Sequence, residues 1–260
     1  MKNLVSLGYD GSYSGLLTCV FQVFDQNLDV QDITLENSMQ PSIFGDLEVV
    51  VTDIEKANRV RSGLKKRISA SGNRQLYWAF LSELDGIEIN ILHYIQLAFK
   101  DKKFSAKDFG NHSVLKINQI AKQVHREKHR MEAFVRFKLT NDEIFFASIE
   151  PDFNVLPIIL THFEARYADQ KWIIYDLKRN FGIYYNLLEI VYINLNFHDT
   201  FSIENNNTNI YKASEIEFQN LWKEYFSSTN IKSRKNMKLH TQHVPKRYWK
   251  YLTEKSSWQN

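Results

Sequence analysis

The sequence predicts a mixed α+β fold in which helices pack on a small, mainly antiparallel sheet. Two pairs of β-rich segments predict hairpins, 134–139 with 144–149 and 171–176 with 182–185, each pair joined by a short polar turn. Apolar residues recur at helical spacing in several other stretches, and these stretches are long enough to cover such a sheet.

Length and composition favour one folded domain over residues 1–260, with a possible subdomain boundary near the polar connection 100–112. A hydrophobic content of 43% is enough for a substantial core. No basic-then-apolar leader opens the sequence, and no apolar run approaches the roughly 20 residues of a membrane helix. A cytoplasmic location without membrane contact is therefore expected.

The single cysteine, Cys19, rules out an intramolecular disulfide and any site that needs several cysteine ligands. It lies in the apolar run LLTCVF, where a buried small side chain is a more ordinary role than a nucleophile. No cofactor and no metal are predicted.

The net charge of +3 conceals two strongly basic segments. Residues 56–82 carry seven basic and no acidic side chains, and residues 225–253 carry seven more, again with no acid. Acidic side chains outnumber basic ones in the rest of the chain. This segregation of charge predicts a polyanionic partner for the basic segments. The alternative is that each segment is a solvated surface that keeps the protein soluble.

Residues 4–9 predict the first strand, and the helix that follows begins near Ser12. Gly8, Gly11 and Gly15 around this junction are compatible with a phosphate-contacting turn. The turn has neither a Walker lysine nor a G-x-G-x-x-G pattern, so an ordinary strand-to-helix turn is the alternative.

The next segment is expected to be irregular from residue 33 until a strand over 47–52. A basic helix over 54–68 then ends near the Ser-Gly-Asn turn at 71–73, and apolar spacing predicts helices over 76–84 and 87–98.

The helix that follows, with its apolar stripe over 114–124, carries clustered histidines and arginines. His125 and His129 share one flank, and Arg126 and Arg130 share the outer face. Two histidines four residues apart can ligate a metal, but Glu127 faces away from them and spacing fixes no third ligand. Phosphate or base contacts and plain surface positions are the alternatives.

Acidic residues follow the second strand of the first hairpin. Glu150 and Asp152 flank Pro151, where they could serve acid–base chemistry or a metal, or simply end the strand and cap the next helix. A last strand is predicted over 191–197 and a last helix over 218–225. Near the end of the chain, Tyr248 and Trp249 are either base-stacking residues or structural anchors for the terminus.

Several of these pieces occur together, in order, in one protein family. They are YDGSYSGLL, RVRSGL, HREKHRMEAFVRF, IEPDFNVLP, HFEARYADQKWIIYD, the LW–YF pairing at 221–226, and VPKRYWKYLTE. Collectively they resemble a family of putative DNA repair or DNA metabolism proteins, a domain of unknown function, from about residue 7 to residue 254. The resemblance implies a domain either fused ahead of a uracil-DNA glycosylase or made separately beside a radical S-adenosylmethionine (radical SAM) protein.

The sequence lacks the Gly-Gln-Asp-Pro-Tyr loop and the His-Pro-Ser motif of such glycosylases, and it lacks the three cysteines of a radical enzyme. The resemblance therefore implies an accessory protein that works with a radical SAM or glycosylase partner, and the basic side chains lead to the first hypothesis, that it binds DNA. Two alternatives remain: an enzyme acting on nucleic acid or nucleotides, and a protein-interaction scaffold. The expected phosphate-binding residues are Arg126, Arg130, Arg136, Arg234, Lys246 and Arg247, with Tyr248 and Trp249 for stacking; the catalytic candidates are Asp10, His129, Glu150 and Asp152.

Overall fold

A computed structural model describes residues 4–38, 46–194, 211–229 and 237–258 of the chain. The chain forms two compact units, residues 1–125 and 126–260. The boundary between these units falls inside a helix rather than in the polar connection 100–112. The assignment of a single domain over 1–260 stays a prediction.

The first unit is built on a parallel three-stranded sheet. Strands β1 (Leu4–Tyr9), β2 (Asp29–Leu35) and β3 (Asp46–Val49) lie in the order β2-β1-β3. Strand β1 is central and mostly buried, as its apolar sequence predicts. Helix α1 (Tyr13–Asp25) connects β1 to β2 and buries Leu16, Leu17 and Val20.

Strand β2 extends over residues 33–35, where the sequence predicted the start of an irregular segment, so that expectation is wrong there. β2 is an edge strand that buries only Ile33 of its seven residues. Its alternating hydrophobic signal is therefore weak.

Helices α2 (Ile54–Arg67), α3 (Ala70–Phe80) and α4 (Ile87–Lys100) complete the first unit, together with the start of α5 (His112–Phe134). The break between α2 and α3 comes at Ile68 and Ser69, two residues before the expected turn. Ser69 caps α3 by accepting a hydrogen bond from the amide of Gly72 at 3.2 Å. Residues 71–73 are therefore helical.

The second unit contains a five-stranded sheet in the order β4-β5-β6-β7-β8. Strands β5 and β6 are parallel and joined by α6, and the other three pairs are antiparallel. The strands are β4 (Lys138–Leu139), β5 (Phe145–Ile149), β6 (Trp172–Asp176), β7 (Phe181–Tyr185) and β8 (Ile190–Ile193), and α6 is Leu156–Arg166.

Both predicted hairpins occur as antiparallel neighbours, β4 with β5 and β6 with β7, but β4 is shorter than predicted. Helix α5 continues to Phe134, which leaves only Lys138 and Leu139 to pair with β5. Residues 195 and 197 of the last predicted strand lie outside the described residues.

The chain closes with α7 (Ala213–Thr229), α8 (Met237–His243) and two 3-10 helices, Lys246–Tyr251 and Thr253–Trp258. The predicted mixed α+β class, with helices packed on small sheets, is confirmed. In the described parts of the chain, none of the helices has the length and apolarity needed to cross a membrane.

Candidate nucleic-acid interface

Four cations of α2 share one side of that helix, and we call Lys56, Arg59, Lys66 and Arg67 the basic flank. At about 100° of rotation per residue, these four positions fall within an arc of about 100°. All four side chains are exposed, and the buried residues Ala57, Val60 and Leu64 occupy the adjoining arc of the helix. The sequence predicts this helix because Asp53 caps its amides and basic residues follow in its last turn.

The basic flank has little local neutralisation. Lys56 Nζ lies 3.7 Å from the carboxylate of Asp53, and this is an exposed pair. Among the described residues, no carboxylate pairs with Arg59, Lys66 or Arg67. Arg67 instead donates to the carbonyl of Phe99 at 3.3 Å. The flank therefore presents positive charge to the solvent without an acidic partner to remove it.

On the other side of α2, Arg61 reaches back toward the start of α1. It donates to Ser14 Oγ at 2.9 Å and lies 5.7 Å from the centre of the Tyr13 ring. This contact fixes the guanidinium beside the carboxyl ends of β1 and β3, the edge at which open parallel sheets bind ligands.

The turn between β1 and α1 satisfies its own amides. Asp10 accepts hydrogen bonds from the Ser12 amide at 2.9 Å and Thr52 Oγ1 at 2.8 Å, and Ser12 Oγ accepts from the Gly15 amide. A Cβ at Gly15 would collide with the Asp10 carboxylate, so glycine is needed here for close approach. The geometry matches the ordinary strand-to-helix turn, because a carboxylate lies where a phosphate would be bound.

The protonation state of Asp10 follows from the same contacts. Partial burial acts to raise its pKa, but the hydrogen bonds from Ser12 and Thr52 outweigh it and lower the pKa below the ordinary value. Asp10 is therefore an ionised acceptor. Cys19, on the same helix, is buried, and burial raises its pKa to about 12, which is the behaviour of a structural thiol.

In the second unit, two of the expected phosphate-binding arginines are engaged by a buried carboxylate. Glu127 has a side-chain exposure of 1%, and its Oε2 lies 3.2 Å from Arg130 Nη1 and 3.4 Å from Arg247 Nη2. Arg247 also pairs with Asp152 at 2.5 Å. The amide of Asp152 donates to Glu127 Oε1 at 2.9 Å, which ties β5 to α5.

The two expected stacking residues are buried. The Tyr248 hydroxyl donates to Glu127 Oε1, and burial together with this bond raises the pKa of Tyr248 well above its ordinary value. Trp249 Nε1 donates to the Val244 carbonyl at 3.0 Å, and 5% of the residue is exposed. This placement agrees with the structural alternative, in which the aromatic residues anchor the segment.

Other cations of the second unit are also neutralised. Arg136 pairs with the buried Glu254 at 2.8 Å, and Lys250 pairs with Glu150 at 2.5 Å. Lys246 is exposed and lies 5.9 Å from the Trp249 ring centre. Arg126 is exposed on α5, and Arg234 lies outside the described residues. Within the second basic segment, Arg247 and Lys250 are therefore neutralised by acidic residues distant in sequence, whereas Lys238 and Lys246 are exposed.

The four catalytic candidates are divided between the units. Asp10 belongs to the first unit, and His129, Glu150 and Asp152 belong to the second. His129 Nδ1 lies 3.2 Å from Glu132, whereas Glu150 and Asp152 pair with Lys250 and Arg247. Burial acts to raise the pKa of Glu150, but bonds from Lys250 and Tyr251 outweigh it and lower that pKa.

No cluster of three or more potential metal ligands occurs among the residues that the structure describes. Glu127, Glu150 and Asp152 are ion-pair partners of Arg247 and Lys250 in the C-terminal segment.

Sequence reasoning missed two features. Glu127 continues the apolar stripe of α5 at i+3 from Val124 and i−4 from Met131, so its burial was signalled by periodicity. The second feature is a group of aromatic residues beside the basic flank, from α1 and α4. Their spacing along the chain gave no sign that they meet.

These features define a mixed α+β protein with a basic helix surface that has little local neutralisation and a C-terminal segment bound to the buried carboxylate of Glu127. Residues 85–254 match the domain of unknown function DUF4130, and the chain belongs to that family. The match includes Glu127 and its partners and begins after the basic flank. No curated protein and no solved structure matches the chain significantly.

Proposed function

We propose that this chain binds nucleic acid and that the basic flank of α2 supplies the main phosphate contacts. The supporting observation is that Arg59, Lys66 and Arg67 are exposed and have no carboxylate partner among the described residues. Arginine and lysine side chains free to pair with phosphates provide the sequence-independent part of nucleic-acid affinity.

The dimensions of α2 suit a nucleic-acid strand. From Lys56 to Arg67 the helix rises by about 16 Å, and a stacked strand advances about 3.4 Å per nucleotide. The flank can thus lie along roughly five nucleotides. Lys65 of α2 and Arg74 of α3 are further exposed cations of the first unit.

The biological setting that we propose is DNA repair or DNA metabolism, as an accessory to a separate radical SAM or uracil-DNA glycosylase protein. This part rests on the resemblance of the seven sequence pieces quoted above. It agrees with a chain whose single cysteine is buried and in which Glu150 and Asp152 are engaged in ion pairs. Arg126 and Lys246, both exposed, are further candidates for phosphate contacts.

A protein-interaction scaffold is the second candidate function, and one observation favours it. Helix α7 exposes Phe218 and Leu221, which lie three residues apart on one face of the helix, by 64% and 60%. Apolar side chains adjacent on one helix often mark a protein contact.

Binding to single- and double-stranded DNA, titrated over salt with and without the partner protein, tests the first function. We expect the logarithm of the binding constant to fall linearly with the logarithm of salt concentration, because each phosphate contact releases counterions. Affinity that is unchanged between low and high salt would contradict the mechanism. Copurification with a partner in the absence of any DNA affinity would select the scaffold instead.

A further inference from the structure

We propose that a cleft beside the basic flank binds one unpaired base of a single-stranded nucleic acid. The cleft is lined by Phe21, Phe24, Asp25, Arg59, Val60 and Phe99, and we call it the aromatic cleft. The inference rests on the proposed function and adds the form of nucleic acid that the surface recognises.

The walls of the cleft come from three helices of the first unit. Helix α1 supplies Phe21 and Phe24, α2 supplies Arg59, and α4 supplies Phe99. The rings of Phe24 and Phe99 meet edge to face, with centres 5.5 Å apart and planes at 79°. This contact holds the two rings in a fixed orientation.

Gly63 of α2 makes this arrangement possible. A Cβ at that position would lie 3.0 Å from two atoms of the Phe99 ring, so only glycine lets the ring approach the helix backbone comfortably. Gly63 lies within the angular arc of the basic flank, between Arg59 and Arg67. The aromatic wall and the cations therefore share one surface.

The aromatic cleft combines an arginine with aromatic rings, as sites that stack nucleic-acid bases do. The Arg59 guanidinium carbon lies 4.8 Å from the centre of the Phe21 ring, and Lys56 Nζ lies 5.8 Å from the same centre. Phe24 is 39% exposed, so part of the residue remains open to the solvent. Planar bases stack on aromatic rings and on guanidinium groups, largely without regard to sequence.

The charges around the cleft favour a base that belongs to a strand. Lys66 and Arg67 lie about 10 Å further along α2 than Arg59, and Lys56 lies about 5 Å in the other direction. Phosphates on both sides of an inserted base would meet cations. Bases in a duplex have both faces stacked on their neighbours, so the cleft can accept only a base that is unpaired or has left the stack.

Phe24→Ala tests the inference directly, with Phe109→Ala as the matched control. Phe109 is 47% exposed in the same unit and is not part of the cleft. We expect Phe24→Ala to weaken binding of fluorescein-labelled oligothymidylate by roughly tenfold, the effect of losing one base–aromatic stack. Binding to a duplex of equal length and the slope of affinity against salt should both be unchanged.

Arg59→Lys provides a second variant that keeps the charge but removes the planar guanidinium. We expect it to weaken oligothymidylate binding severalfold without changing the salt slope. Circular dichroism of each variant checks that the fold is retained.

Two results would overturn the inference while leaving the proposed function in place. One is a loss of affinity for oligothymidylate in Phe24→Ala that is no larger than the loss in Phe109→Ala. The other is a loss of affinity in Phe24→Ala that is equal for single-stranded DNA and for duplex. A wild-type protein that binds neither form of DNA at low salt would overturn the proposed function as well.

Discussion

Replacing Lys56, Lys66 and Arg67 together by alanine is expected to weaken single-stranded DNA binding by about a hundredfold at about 0.1 M salt. Each lost phosphate contact lowers the slope of log affinity against log salt by about 0.7 for a single strand, so three contacts lower it by about two. Fluorescence anisotropy at several salt concentrations measures both quantities. The triple variant leaves in place Arg59 and the other side chains that line the aromatic cleft, so a lower salt slope reports lost phosphate contacts.

The matched control is the triple variant Lys102→Ala, Lys103→Ala and Lys107→Ala. These lysines are exposed in the connection after α4 and belong to the same unit. Their removal changes the net charge by the same amount, so a purely long-range effect of charge would be equal in the two proteins. Equal losses in the two triple variants would remove the special role of α2.

Glu127→Ala is expected to lower the free energy of unfolding by about 3 kcal/mol, because a buried network loses its common acceptor. The Tyr248 hydroxyl and the Asp152 amide both donate to Glu127 Oε1, and they would lose that partner in the protein interior. For a chain of this size the expected decrease in Tm is roughly 6 to 12 °C. Thermal unfolding followed by circular dichroism provides the measurement.

Glu164→Ala, on an exposed position of α6 in the same unit, is the control and should change stability by no more than about 0.5 kcal/mol. Glu127→Gln keeps the size and one carbonyl acceptor, so we expect it to lose less stability than Glu127→Ala. A Tm for Glu127→Ala equal to that of Glu164→Ala would show that the buried carboxylate does not anchor the C-terminal segment.

Elements with strong local patterns could be predicted from the sequence. The apolar β1, the stripe of α1 and the hairpin of β6 and β7 each carry their signal within a few residues. Strand β2 could not, because an edge strand with a single buried side chain has little periodicity. The break between α2 and α3 was misplaced by two residues, since the Ser69 cap is a weaker signal than the glycine at 72.

In the candidate interface, too, local properties could be predicted from the sequence, whereas contacts between distant residues could not. The charge of α2 is a local property, and its segment was predicted as basic from the sequence alone. The ion pairs of the second unit were not predictable, because Arg136 and Glu254 are 118 residues apart and Arg247 and Glu127 are 120 apart. A count of charges along the sequence does not reveal which distant residues form ion pairs in the fold.

For two aromatic residues near the C-terminus, the fold decides between the two roles that the sequence left open, base stacking and structural anchoring. Tyr248 and Trp249 have the composition of a stacking platform, yet both rings are buried and their polar atoms are bonded inside the protein. Phe24 gave no functional signal in the sequence, but it lies exposed beside Arg59. The solvent exposure of an aromatic side chain, which depends on the whole fold, therefore decides whether that side chain can stack on a base.

Lysine footprinting tests the central claim most directly, since acetylation rates measured by mass spectrometry report which ammonium groups a bound strand covers. We predict that oligothymidylate slows acetylation of Lys56 and Lys66 and leaves Lys102, Lys103 and Lys107 unchanged. Unchanged rates at Lys56 and Lys66 in the presence of saturating DNA would contradict the assignment of the basic flank as the nucleic-acid-binding surface.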